Sequence, residues 1–130
     1  MPRFSLVLLA VLMGLPALAE ELTVATWGGA YEAAQREAVF APYTEATGQA
    51  VTAVQYDGTI AELRARAGSE GWDVVDMLAD QARAACAEGL LRPVEAGALL
   101  GPAARADFGP QSPTRCAIPQ NVYARVMAYD

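Results

Sequence analysis

The chain has 130 residues, is 54% hydrophobic and carries a formal net charge of −6 at neutral pH. All its cationic side chains are arginines, with no lysine and no histidine. No basic block is present to neutralise phosphates, so a nucleic-acid surface is excluded. The acidity favours cationic solutes only modestly, since acidity is also a common route to solubility.

Residues 1–19 read as a secretory signal. Arg3 gives a positive start, an almost unbroken apolar run extends to Leu15, and Ala17-Leu18-Ala19 supplies the small-x-small pattern of a signal-peptidase site. Cleavage after Ala19 is expected, with Glu20 as the new N-terminus and the periplasm as destination. A membrane anchor fits less well, because the run is shorter than the roughly 20 residues a spanning helix needs and Pro16 follows it. No cysteine lies near the cleavage site to carry a lipid. Residues 20–130, about 111 in number, suit one domain rather than two.

Leu22, Val24 and Thr26 alternate with Thr23, Ala25 and Trp27, apolar or small on both sides, as in a strand buried on both faces. Gly28-Gly29 breaks this strand. A helix is predicted from Tyr31 to Ala41, with a break or restart at Pro42 and a stop at Gly48. A second strand is predicted over Ala50 to Tyr56, and Asp57-Gly58 turns the chain. Thr59 and Glu62 form a capping-box pattern for a helix running to Arg66 and ended by Gly68 and Gly71.

Trp72 to Leu78 reads as a third strand, and Asp80 as the N-cap of a helix over Gln81 to Ala87 that stops at Gly89. Strand and helix alternate three times, which predicts an α/β fold with right-handed crossovers and a mostly parallel sheet flanked by helices. Prolines and glycines make Arg92 to Arg115 mostly loop, and Val122 to Tyr129 reads as a further strand.

Cys86 and Cys116 both fall in the exported portion, where oxidation is permitted, and are expected to form a disulfide. Two buried free thiols are the alternative. A catalytic thiol lacks a histidine to take its proton.

Ligands in an open parallel sheet sit beyond the carboxyl ends of the strands. The candidates are therefore Trp27, Gly28, Gly29 and Tyr31, then Tyr56 and Asp57, then Ala79 and Asp80. Trp27 offers an aromatic face to an ammonium group, or packs in the core. Gly28-Gly29 offers N–H groups to an anion, or is a plain tight turn. Asp80 pairs with a ligand amine, or only caps its helix. On a strand, Asp73 and Asp76 point to opposite faces, which argues against a catalytic carboxylate pair and against an enzyme.

In this order, the segments Trp27-Gly28-Gly29-x-Tyr31, Thr47-Gly48, Trp72-Asp73-Val74-Val75-Asp76, Glu88-Gly89-Leu90-Leu91-Arg92-Pro93 and Cys116-Ala117-Ile118-Pro119, leading to Tyr123 and Tyr129-Asp130, resemble periplasmic solute-binding proteins of ABC importers. The resemblance is to the group that includes the spermidine/putrescine binders. It implies a periplasmic-binding-protein-like lobe, of which this chain holds the opening segment, with the second lobe missing and the chain shortened. It also implies capture of a small organic cation such as a polyamine, delivery to an inner-membrane ABC permease, a monomer, and no cofactor or metal. A binder of a carboxylate, sugar or ferric complex, or a small disulfide-bonded interaction protein, are the alternatives. Tyr31 resembles a cleft tyrosine of the group, and Tyr123 lies where the family runs near hinge and cleft or packs in a strand. Tyr123 and Tyr129 are not the adjacent tyrosine pair of ferric-binding relatives.

Overall fold

The computed structural model describes residues 20–101, 107–108, 113–124 and 126–128. The signal and the end of the last predicted strand, Tyr129, lie outside the described residues, as does Asp130.

Three parallel strands form one sheet in the order β2-β1-β3. They are β1 (Leu22–Thr26), β2 (Val51–Gln55) and β3 (Val74–Val75). Strand β1 is central, pairing Leu22 with Val51 through Thr26 with Gln55 on one side, and Val24 with Val74 and Ala25 with Val75 on the other. Its residues Val24, Ala25 and Thr26 are buried, as the two-sided apolar pattern predicts.

Between β1 and β2 run α1 (Gly29–Gln35), a π-helical segment (Arg36–Phe40) and α2 (Ala41–Thr47). Pro42 predicts a break or restart, and α2 does restart at Ala41 with the proline in its first turn, after a widened π-helical stretch that keeps the helical path continuous. Proline has no N–H to donate, and just ahead of it the Ala41 N–H bonds the Arg36 carbonyl five residues back, so the bonding register shifts around the proline. Gly48 ends α2 in the left-handed conformation, as predicted.

Helix α3 (Ile60–Glu70) joins β2 to β3 and runs through Gly68 to end at Glu70, four residues past the predicted end at Arg66, with Gly71 as its left-handed cap. Thr59 caps it by accepting from the Glu62 N–H at 3.1 Å. The reciprocal half of the capping box reaches further back: the Glu62 carboxylate takes the Asp57 N–H, while Asp57 takes the Thr59 N–H. Because β1 to β2 and β2 to β3 step in opposite directions, right-handed crossovers put α1–α2 and α3 on opposite faces of the sheet.

The third strand is shorter than predicted, two residues instead of Trp72 to Leu78. The Asp73 and Asp76 N–H groups still bond the Thr23 and Ala25 carbonyls, but beyond Asp76 the chain turns away into α4 (Ala79–Ala87). That helix begins two residues before the predicted start. Leu78 occupies the N-cap with no side-chain cap, which leaves Asp80 in the first turn as a charge matched to the dipole. After α5 (Ala96–Leu99) the described chain is mostly irregular. The described residues among 122–128 form no strand, and Val122, Val126 and Met127 are exposed.

Cys86 of α4 is bonded to Cys116, with 5.8 Å between their Cα atoms. The bridge and the Val94 N–H to Arg115 carbonyl bond of 2.8 Å pin the irregular segment beside α4.

Candidate functional site

Strand order decides which strand ends form a crevice. The chain leaves β1 toward β2 on one side and comes back to β3 on the other, so the topological switch lies between β1 and β3, where open α/β sheets take their ligands. The groups beyond those two ends are Trp27, Tyr31 and Gln35 on the β1 side and Asp76 on the β3 side. All four line one open cavity of about 1000 Å³, whose lining also includes Gln120 and Asn121.

Trp27 and Tyr31 stand four residues apart at the strand-to-helix junction, with ring centroids 5.1 Å apart and planes tilted by 38°. Gly58 holds the indole from behind: a Cβ built there would lie 2.9 Å from Trp27 Nε1. One turn further along the helix, Gln35 is buried, 6% exposed, and points back to the sheet. The Thr26 hydroxyl donates to Gln35 Oε1 at 2.5 Å, and Gln35 Nε2 donates to Asp76 Oδ2 at 2.7 Å. A carboxylate only accepts, so the NH₂ of Gln35 must face Asp76 and its carbonyl must face the threonine.

The pinned segment closes one flank. Gln120 Oε1 accepts from the Tyr31 hydroxyl at 2.8 Å. Burial raises the Tyr31 phenol above its usual value, and the negative charge of Asp76 raises it further, against a lowering hydrogen bond from Asn121. Tyr31 therefore keeps its proton at neutral pH and remains a donor.

The structure divides the sequence-predicted residues. Trp27, Tyr31 and Tyr123 line the cavity, Tyr123 from the exposed irregular segment. Gly28 and Gly29 fall outside the lining. Gly28 is buried, with φ 76° and ψ −167°, against the Gln55 side chain, so it serves a tight turn. Tyr56 is 4% exposed and donates its hydroxyl to the Asp76 main-chain carbonyl, a packing role at the base of the site. Asp57 bonds Thr59 and lies outside the lining. Asp80 is exposed and also outside the lining, although its neighbour Ala79 lines it. Trp27 directly follows β1, whereas Asp80 stands in the first turn of α4, five residues past the end of the adjacent parallel strand β3.

Sequence reasoning passed over Gln35, Gln120 and Asn121 and weighed Asp76 only as half of a catalytic pair. Asp76 falls inside the strand predicted over Trp72 to Leu78, and only the short β3 of the structure makes it a strand-end residue.

No family model matches the chain. It is 35% identical over 130 residues to a gamma-aminobutyric acid-binding protein of Pseudomonas aeruginosa, covering 98% of this chain and 36% of that protein. In three dimensions it is similar to the periplasmic binding protein AgtB from A. tumefaciens R10 in complex with agropinic acid. The TM-score is 0.59 and the identity 28%, over 70% of this chain and 29% of that one. The chain thus spans about a third of the length of either relative. Both are binding proteins rather than enzymes, and their likeness supports the solute-binding class over the polyamine group in particular. The chain has the α/β fold of a periplasmic binding protein lobe, a parallel sheet flanked by helices with its crevice between β1 and β3.

Proposed function

We propose that this chain supplies one wall of a periplasmic receptor that captures a small solute bearing both an amine and a carboxylate and hands it to an inner-membrane ABC permease. The observation that carries this reading is the Asp76 carboxylate at the switch between β1 and β3, in one crevice with the Trp27–Tyr31 aromatic pair. Asp76 suits a ligand ammonium, and the aromatic faces add about 0.5 to 2 kcal/mol of cation–π attraction depending on desolvation. The Asn121 amide, and the Tyr31 hydroxyl when a ligand replaces Gln120 as its acceptor, are donors suited to a carboxylate. Similarity to proteins named for gamma-aminobutyric acid and found with agropinic acid agrees with an acid-bearing solute. The amino-terminal pattern of residues 1–19 and the periplasmic relative agree with export.

A polyamine such as putrescine or spermidine is the second reading, favoured by Asp76 beside two aromatic rings and by the sequence resemblance. Titration calorimetry of the full chain with gamma-aminobutyric acid, butyrate, putrescine and spermidine separates the two. Heat from the amino acid and little from butyrate is the expected result. Heat from the polyamines alone would replace the first reading by the second, and silence from all four would remove both.

A further inference from the structure

We infer that Gln35 is a specificity-positioning residue: through Asp76 it sets how well the crevice distinguishes a solute with an ammonium group from the same solute without one. The inference rests on the amine-binding role of Asp76 proposed above, and it concerns a side chain that contacts that carboxylate rather than the ligand.

Three observations converge on it. Gln35 is buried on a helix otherwise mostly exposed to solvent, although a glutamine gains nothing from burial unless both ends of its amide are bonded. Both ends are bonded, one by the fully buried Thr26 hydroxyl and the other by Asp76. The chain Thr26–Gln35–Asp76 therefore runs from the carboxyl end of β1 to the residue after β3, across the switch between them.

The consequence is geometric. Asp76 follows a strand only two residues long; its main chain is held by the Ala25 carbonyl and the Tyr56 hydroxyl, and the side-chain bond given to its carboxylate is the one from Gln35. Gln35 holds Oδ2 and so restrains the rotation of the carboxylate, which leaves Oδ1 to face an ammonium beside Tyr31. Without that bond the carboxylate can rotate, and its directional advantage for an ammonium is lost. The same bond fixes the acceptor in one rotamer before the ligand arrives, so ordering it costs less on binding.

The test compares gamma-aminobutyric acid with butyrate by calorimetry on the full chain carrying Gln35→Met, Asp76→Asn, or both. Methionine matches the length of glutamine and removes the donor. The expected result for Gln35→Met is a loss of about tenfold in the ratio of amino-acid to butyrate affinity, as for one hydrogen bond to a charged group. In the Asp76→Asn background the same change is expected to add little, because a positioning residue acts through its partner. A structural role would weaken both solutes alike and leave the ratio unmoved. An unchanged ratio in Gln35→Met, or losses that add fully in the double variant, would overturn the inference. Failure of the underlying reading looks different: the unaltered chain itself would then show no preference for the amine-bearing solute.

Discussion

The Tyr56 hydroxyl donates to the main-chain carbonyl of Asp76, tying the residue after β2 to the residue after β3 across the central strand. The same phenol ring packs edge-on against Trp72, with centroids 5.4 Å apart. A side chain chosen from sequence as a ligand contact thus braces the floor of the site. Tyr56→Phe keeps the ring and removes the bond, and is expected to cost about 1 kcal/mol in urea unfolding.

Burial, followed by the charge of Asp76, pushes the Tyr56 phenol far above its usual value of 10.0. Below pH 10 the proton is held in both the folded and unfolded states, and the group leaves stability independent of pH. Above it the unfolded chain releases the proton that the folded chain keeps, so stability falls as pH rises, by about 1.4 kcal/mol per pH unit. Denaturant melts from pH 9 to 12 should stay level at first and take on this slope above about pH 10, and Tyr56→Phe should reduce it.

Gly28 has a backbone conformation open almost only to glycine, and a Cβ there would lie 2.5 Å from Gln55 Cδ. Gly28→Ala is expected to cost about 1 to 3 kcal/mol in stability. Because the residue joins Trp27 to α1, the tryptophan fluorescence maximum should shift as well. An alanine variant with the parent stability and spectrum would refute the account of the turn.

On the acid side, Arg66 donates to Glu70 at 2.8 and 3.0 Å, pairs with Glu62, and lies 5.0 Å from the Trp72 ring centroid. The Arg66 hydrogen bond holds the Glu70 carboxyl below its usual range, and the Thr59 hydroxyl does the same for Asp57. A depressed carboxyl contributes stability that is present above its unfolded value and lost as pH falls through its folded one. Melting temperature should therefore drop below about pH 4.3. Arg66→Gln should make that drop shallower, and added salt should imitate the variant, since these groups are exposed.

Closing a loop 30 residues long, the Cys86–Cys116 bridge is worth roughly 3 to 4 kcal/mol by the chain-entropy argument. It also anchors the segment that brings Gln120 to Tyr31. Reduction should lower the urea midpoint by a corresponding amount and weaken solute binding in the same titration.

Much of the architecture was legible because it is written in short-range chemistry. The apolar run of β1, the Thr59 cap and the glycines at 48, 71 and 89 act within a turn or two of chain, and all were found where the residues put them. Errors arose where a neighbour in space overrode a local preference. Trp72 to Leu78 has the composition of a strand, but only two residues remain paired to β1. Val122 to Tyr129 is apolar enough for another strand, but its described residues form none.

The sequence by itself determined an α/β chain with strand ends rich in aromatic and acidic side chains, since periodicity, capping and turn residues are local properties. Only the tertiary structure decided which ends meet. That choice depends on the side of β1 to which each crossover returns; it keeps Trp27 and Tyr31 in the candidate crevice, leaves Tyr56 and Asp80 out of its lining, and adds Gln35 and Asp76. The Gln35–Asp76 bond joins residues 41 positions apart, and no pattern along the chain encodes such a pairing until the sheet has formed.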